Sequence, residues 1–436
     1  MVATIFSFSA CGGAIDPALA EEEEQTRRWV ADIEQYRAHV LQWHPRFAYR
    51  RIADWYENIE IRQAFEESIN ELTANAANLS DFEIQVELQR STAILRDNHF
   101  FFTAFAGYNA ALRVLRYPLV FGWFADGVYL YQAHRDFEHA LNKRVVAVNG
   151  VSIDDVFRDF SLFWSVENIY DARYQFTTHL NAVKVLQSLG ITGDDEHTTY
   201  TLMGSNNEEV SITVTESNRW ERLYTTLRWL PPANVTDNRA EGNLPLFRQN
   251  FRANLWHEFV EDYGILYISI RGWVPDVQNV FRRAVENTFN ENDVRAVIVD
   301  ARSNPGGDAN QFNDLFNMFA QRLLPESFFY FVNEGSNSGS LGAALFLENI
   351  GAVIVGQPLA QNANFYWFGN NISRAFLYYS RLEVFPPPTF FSSQTFFGRE
   401  SGDGIFRPHV LIDYTIDDWV NNRDPLFDYV IGRITN

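Results

Sequence analysis

Apolar residues first recur at helical spacing. Trp29, Ile33, Tyr36 and Val40 lie three to four apart, and Pro45 ends the pattern. Phe65, Ile69 and Leu72 continue it. Ser80-Asp81-Phe82-Glu83 reads as a capping box opening a helix with Ile84, Leu88 and Leu95 on one face, which runs into Arg96-Asp97-Asn98-His99. Residues 26–105 are therefore expected to be helical. Further on the period changes. Residues 119–124 and 128–131 flank Ala125-Asp126-Gly127, a hairpin signal. Residues 144–150 form a strand ending in Asn149-Gly150, and residues 199–202 and 210–214 form another hairpin. A Pro/Asn-rich stretch at 231–245 reads as a linker.

After the linker the pattern becomes strand, helix, strand, helix. Residues 265–270 are a strand, and Val277, Phe281, Ala284, Val285 and Thr288 make a helix face. Val297-Ile298-Val299-Asp300 and residues 328–332 are two buried strands about thirty residues apart, and an apolar segment at 341–350 follows. This alternation predicts a mostly parallel sheet. Asp424-Pro425 predicts an N-cap followed by Pro at the first helical position. No internal repeat is visible.

The two buried strands end in loops that can carry chemistry. The first runs through Arg302 into Asn304-Pro305-Gly306-Gly307, where the absence of Cβ lets backbone N–H groups approach a ligand. The second runs into Asn333-Glu334-Gly335-Ser336-Asn337-Ser338-Gly339-Ser340. A serine at a strand-to-helix turn beside a Gly-Gly loop suits a nucleophile with an oxyanion hole, built from the Gly339 N–H and one from Gly306 or Gly307. The competing reading of Ser338 is an ordinary turn residue. Asp300 and Arg302 read as a strand-end ion pair that shapes the loop. His39/His44 and His134/His139 are five apart, poor spacing for shared ligation on a helix, so no metal set is predicted. The aromatic residues between 328 and 397 either line an apolar groove or fill the core.

Composition narrows the partners. The chain has 436 residues, 46% of them hydrophobic, enough for two or three domains. A net charge of −20 argues against nucleic acid and anionic membrane surfaces. Cys11 is the only cysteine, which excludes an intrachain disulfide. Its setting, Phe8-Ser9-Ala10-Cys11-Gly12-Gly13, followed by an Ala/Glu tether, resembles a bacterial lipoprotein cleavage box. The alternative is a frayed terminus with an incidental cysteine.

Taken together, these segments resemble the tail-specific, or C-terminal-processing, serine peptidase family, which includes the tricorn core. The Asn-Pro-Gly-Gly strand end, the nucleophile loop Gly335-Ser336-Asn337-Ser338, the turn Gly356-Gln357-Pro358, the PDZ-like ending at residues 144–150 and Asn422-Arg423-Asp424-Pro425 carry the resemblance. It implies Ser338 as nucleophile. One branch of the family takes its base from a lysine after the Gly-Glu-Pro turn. Asn362 stands there, and Lys143 and Lys184 are the only lysines of the chain. The tricorn-like branch takes its base from an N-terminal Gly-Asp-Gly-His motif, and His99 stands at the matching place with both glycines replaced. That branch also uses a late acidic residue. His409 replaces it here, and Glu400 and Asp403 are the nearby acids.

The resemblance implies an α/β, crotonase-like (ClpP/crotonase) catalytic domain at residues 246–436, after a tether at 1–25, a helical region at 26–105, a PDZ-like β-rich domain at 106–230 and a linker at 231–245. The implied function is a serine endopeptidase acting on unfolded polypeptides or C-terminal tails, with no cofactor and no metal. Its expected place is outside the cytoplasm, secreted or tethered to a membrane through lipidated Cys11. The alternative is a degenerate member that binds peptides or apolar ligands without cleaving them. A third reading, an acyl-CoA enzyme on the same fold, suits the nucleophile loop poorly.

Overall fold

The computed structural model describes residues 17–48, 55–102, 116–193, 197–215, 235–237, 244–250, 253–273, 278–367, 373–399 and 402–435. The Cys11 box, Glu400 and most of the expected linker lie outside these residues.

Three long helices open the chain: α1 (Pro17–Trp43), α2 (Trp55–Asn75) and α3 (Asp81–Ala93). The apolar stripe read from the sequence is the buried one, since Ile33, Tyr36, Val40, Phe65, Ile69 and Ile84 are fully buried. The capping box at the start of α3 is formed in both directions, with the Ser80 side chain accepting from Glu83 N–H and the Glu83 carboxylate accepting from Ser80 N–H. The chain then leaves helical geometry. Residues Phe101–Phe102 form a short strand paired with Glu383–Phe385.

The middle of the chain is an antiparallel sheet with spatial order β1 (Leu119–Phe124), β2 (Gly127–His134), β3 (Lys143–Val148), β4 (Thr198–Met203) and β5 (Glu209–Val214). Both predicted hairpins are present, β1–β2 and β4–β5. Positive φ at Asn149 and Gly150 makes the turn after β3. The expectation of a simply β-rich segment needs correction. Helices α4 (Ile153–Phe163) and α5 (Ile169–His179) and a short helix, Val183–Ser188, separate β3 from β4. Their N-caps, Ser152 and Asn168, were available in the sequence. The helices α1 to α3, this sheet and α4 to α5 share one apolar core.

The rest of the chain builds a six-stranded sheet from β6 (Leu255–Val260), β7 (Ile265–Ile270), β8 (Ala296–Asp300), β9 (Phe328–Val332), β10 (Val353–Gly356) and β11 (Val410–Leu411). The spatial order is β11-β10-β9-β8-β7-β6, parallel except for β6. The two motif-bearing strands, β8 and β9, are direct parallel neighbours, with Val297 opposite Phe328. Helices α6 (Gln278–Glu291), α7 (Asn313–Arg322) and α8 (Gly339–Asn349) connect the strands, and α9 (Pro425–Thr435) closes the chain. One core lies on each face of the sheet, and α9 supplies Leu426 and Val430 to the second. Every residue of β7, β8 and β9 is buried, as expected for a parallel sheet covered on both faces.

Candidate active site

Both loops leave the same edge of the parallel sheet and are stitched together. Asn333 Oδ1 accepts from Ser303 N–H at 2.6 Å and Gly335 N–H at 3.1 Å. Ser336 Oγ donates to Ala301 O at 2.8 Å, and Asn337 N–H to Asn304 O at 2.9 Å. Beneath them Arg302 is buried and forked by two carboxylates. It donates to Asp300 from Nε at 3.0 Å and to Asp424 from Nη1 and Nη2 at 2.9 and 2.8 Å. The expected Asp300–Arg302 pair is thus a triad, and the start of α9 is tied to the Gly-Gly loop through Asp424.

Ser338 caps α8 with φ 51° and ψ −114°. Positive φ in a non-glycine residue is a strained conformation that the surroundings must hold. It places the serine at the turn itself, half-buried, with its Oγ in no hydrogen bond among the described residues. Gly306 and Gly339 explain why glycine is needed alongside. A Cβ on Gly306 would stand 2.6 Å from Ser338 Cβ and 2.8 Å from Gly339 N, and one on Gly339 would strike Gly307 O.

The three expected oxyanion donors do not stand equally. Gly306 N–H is already spent on Asn304 Oδ1 at 2.9 Å, an Asx turn, so Gly306 is removed from the set. Gly307 and Gly339 N–H have no such bond among the described residues, and the two glycines are in contact beside Ser338. Gly307 has no room for a side chain, because a Cβ there would meet Trp273 O at 2.7 Å.

His99 arrives from the other half of the molecule. The segment after α3 is folded by Asp97, whose Oδ1 accepts His99 N–H at 2.9 Å and whose Oδ2 pairs with His44 Nε2 at 3.1 Å. Ser165 locks the same turn by accepting from Asp97 N–H and donating to Asp97 O, both at 2.9 Å. Burial lowers the pKa of His99, opposed in part by the Asp97 charge, and so favours the neutral ring. His99 does not hydrogen-bond to Ser338 Oγ. The fully buried Gln361 joins them instead: its Oε1 accepts Ser338 N–H, and its Nε2 lies 3.3 Å from His99 Nδ1.

Asp97, His99 and Glu167 each bring a ligand-type atom within 4.8 Å of the others. Sequence spacing did not find this group, because Glu167 lies 68 positions from His99 and reaches it only through the cap of α5. Its oxygens are largely committed: Asp97 as above, and Glu167 Oε2 to Asn362 N–H at 2.8 Å. The donor set is thus already hydrogen-bonded within the protein, which makes it a charge network around His99. Burial, then the charges of Asp97 and Asp171, raise Glu167 well above the ordinary carboxylate range, and burial pushes Asp171 up to about 7. Asn362, at the place of the family lysine, is bolted down here, with its Oδ1 accepting from Asn168 Nδ2 at 2.9 Å.

Of the two late acids, Asp403 has its partner elsewhere. Asp403 is exposed and held by Arg407 in a bidentate pair at 2.6–2.7 Å, which lowers its pKa. That pairing removes it from the site, and Glu400 lies outside the described residues. His409 pairs with Glu348 at 3.2 Å and accepts Ile354 N–H at 3.0 Å, away from Ser338.

An aromatic cavity of about 150 Å³ opens beside the nucleophile loop, between β1, α5 and the C-terminal region. Trp123, Tyr131, Tyr174, Tyr414 and Trp419 line it, with Glu334 and Gly335 on one wall. Of the other aromatic residues, Phe365 and Tyr366 are core, whereas Trp367, Tyr378, Tyr379 and Phe396 are exposed. No described helix is long and apolar enough to cross a membrane.

Known proteins agree with this architecture. Mature CPAF superposes with a TM-score of 0.62 at 12% identity, covering 94% of this chain and 97% of that one. Mature CPAF complexed with lactacystin gives 0.63 at 12% identity, over 94% and 98%. The photosystem II D1 C-terminal processing protease gives 0.40 at 12% identity over 88% and 93%, a superposition too loose to carry an argument. At such identity the likeness to CPAF speaks to the fold alone. No curated sequence matches the chain. A model of peptidase family S41 matches residues 264–327, the stretch that holds β7, α6, β8 and the Gly-Gly loop and ends before Ser338. Over that segment the chain is similar to peptidase family S41.

Proposed function

We propose that the chain is a serine endopeptidase of the tail-specific type, on a crotonase-like catalytic domain with a PDZ-like domain around β1 to β5. Ser338 is the nucleophile, His99 the base, and the Gly307 and Gly339 N–H groups the oxyanion hole. The observation that carries this reading is the strained Ser338 turn, whose hydroxyl and two neighbouring amides make no other hydrogen bond among the described residues, with a buried histidine one side chain away.

The chemistry follows from these positions. Ser338 Oγ attacks the scissile carbonyl and gives its proton to His99. Negative charge gathers on the carbonyl oxygen, where preorganised amides are worth about 10²–10³ in rate each. His99 returns the proton to the leaving amine, and water then hydrolyses the acyl-enzyme by the same steps. The −20 charge suits a polypeptide substrate without a nucleic-acid partner. Extracytoplasmic placement rests on the Cys11 box alone.

The non-cleaving alternative is favoured by one observation, the lack of a Ser338–His99 hydrogen bond. A fluorophosphonate probe decides between them. It should label wild type and not Ser338→Ala, and equal labelling of the two would overturn the nucleophile. Lactacystin, the compound in the CPAF complex, is a second probe of the same site. Because burial lowers the pKa of His99, the rate of labelling should rise through an ionisation below the reference value of about 6.5.

A further inference from the structure

The antiparallel sheet ends on the edge strand β1, and an open edge invites an added strand. Here the chain covers both ends of that edge itself. Tyr117 N–H donates to Asn181 O at 2.8 Å, and Asn181 Nδ2 to Leu119 O at 2.6 Å. At the other end Ala125 N–H donates to Tyr414 O at 2.9 Å. Helix α5 packs along the strand, with the Trp123 and Phe176 rings 6.3 Å apart. Between these covers, residues 121–124 line the aromatic cavity of about 150 Å³. Pockets for drug-sized ligands run to about 300–1,000 Å³, whereas a cavity of roughly 150 Å³ takes benzene. The space suits one small ring system and is too small for an added strand.

Its walls come from both regions of the molecule. Trp123 and Tyr131 stand on the antiparallel sheet and Tyr174 on α5, whereas Tyr414 and Trp419 belong to the C-terminal region and Glu334 to the nucleophile loop. Aromatic rings favour edge-to-face contact, and the walls already make it: Tyr131 and Trp419 lie 5.0 Å apart at 81°. A further ring entering among them gains the same kind of contact.

The charges set the rest of the ligand's chemistry. Glu334 is buried, and its carboxylate accepts at about four lone-pair sites, so a ligand donor meets an acceptor there even while Glu334 keeps a protein partner. Arg302 also lines the cavity, but its guanidinium is committed to Asp300 and Asp424, so an incoming anion meets Glu334 without a counter-charge from Arg302. Arg173 and Arg248 lie over the Trp123 and Trp419 rings, 4.9 and 3.7 Å from their centroids, and their charges oppose a cation.

We propose that this cavity is a binding site for a small uncharged aromatic molecule that carries one hydrogen-bond donor, of the size of phenol or indole. Its ring packs among the wall aromatics, and its O–H or N–H donates to Glu334. Because the walls belong to both regions, the ligand binds only the docked form and holds the two together. The site does not depend on the role given to Ser338.

Titration calorimetry of the full chain with p-cresol, indole, toluene and benzoate tests this. p-Cresol and indole should bind one to one. Toluene, which lacks the donor, should bind at least about tenfold more weakly than p-cresol, the worth of a hydrogen bond to a charged group. Benzoate should not bind. Glu334→Leu should bring p-cresol down to the affinity of toluene. Thr177→Phe, which adds a ring to the cavity from α5, should abolish binding. The melting temperature of wild type should rise with p-cresol concentration, as for any ligand that binds only the folded state.

Equal binding of p-cresol to wild type and Thr177→Phe would overturn the proposal, as would equal affinities of wild type for p-cresol and toluene. If the variants do not fold, nuclear Overhauser contacts from p-cresol to tryptophan ring protons of wild type take their place, and their absence at saturation would overturn it. Displacement of p-cresol by the tripeptide Ala-Tyr-Ala would make the occupant a polypeptide side chain and overturn the small-molecule assignment. Fluorophosphonate labelling decides the peptidase reading separately, and neither of its outcomes bears on this cavity.

Discussion

The parallel sheet and the antiparallel sheet bury their residues by different rules. In β7, β8 and β9 every position is inside, because helices cover both faces. In β5 the burial alternates, with Ile212 and Val214 inside and Ser211 and Thr213 in solvent. The first region can host chemistry only at its strand ends, where β8 and β9 stop and their loops emerge. The second leaves one face wet, and its contribution to the site comes from what is attached to it: the cap of α5, with Glu167 and Asn168, and the turn of Asp97 and His99 that Ser165 locks. A site divided this way exists only when both regions are docked.

The largest effect should come from breaking the Asp300–Arg302–Asp424 triad at the end of β8. Arg302→Met leaves two buried carboxylates without their partner and should destabilise by about 3–5 kcal/mol. Chemical denaturation would measure this, and a loss under 1 kcal/mol would mean that water reaches the triad.

Paired truncations test the burial rule itself. Ile265→Ala and Leu266→Ala, consecutive in β7 and facing different cores, should each cost about 2–5 kcal/mol. In β5, Ile212→Ala should cost as much, whereas its neighbour Thr213→Ala should change stability by no more than about 0.5 kcal/mol. Equal costs at Ile212 and Thr213 would erase the contrast between the sheets.

The smallest effect is a dependence on pH. Asp171, on α5, has a folded pKa of about 7 against an ordinary value of 3.8, raised by burial. Between these values the folded protein holds a proton that the unfolded chain has released. Stability from this group is therefore complete below about pH 4 and is lost as pH rises through about 7. Asp171→Asn removes that slope. Its melting temperature relative to wild type should be more favourable at pH 8 than at pH 4.5, and a constant difference would show that Asp171 is ionised throughout.

Much of this molecule was written locally. The stripe of Trp29, Ile33, Tyr36 and Val40, the Ser80–Glu83 box, the two hairpins and the runs ending at Asp300 and Val332 each depend on neighbours a few residues away, and each formed as read. The Ser338 turn was legible too, since a buried strand, a Gly/Ser loop and an apolar helix follow one another in sequence. Helices α4 and α5 were less legible, because they interrupt a stretch dominated by strand periodicity and announce themselves only through the Ser152 and Asn168 caps.

What surrounds Ser338 was not legible, because it depends on separations that no pattern encodes. Gln361 meets His99 across 262 positions, and Asp424 meets Arg302 across 122. Asp403, one of the two late acids, is taken by a partner four residues away in Arg407. Gly306 was excluded by a bond to Asn304, a local competitor for its N–H. The sequence by itself determined which segments are strands and helices, where they stop and which loop carries the serine, since periodicity, caps and backbone sterics act over a few residues. Only the tertiary structure decided which side chain stands between His99 and the serine and which acids surround His99, because a buried polar group takes its partner from whatever the docking of distant elements brings within hydrogen-bond reach.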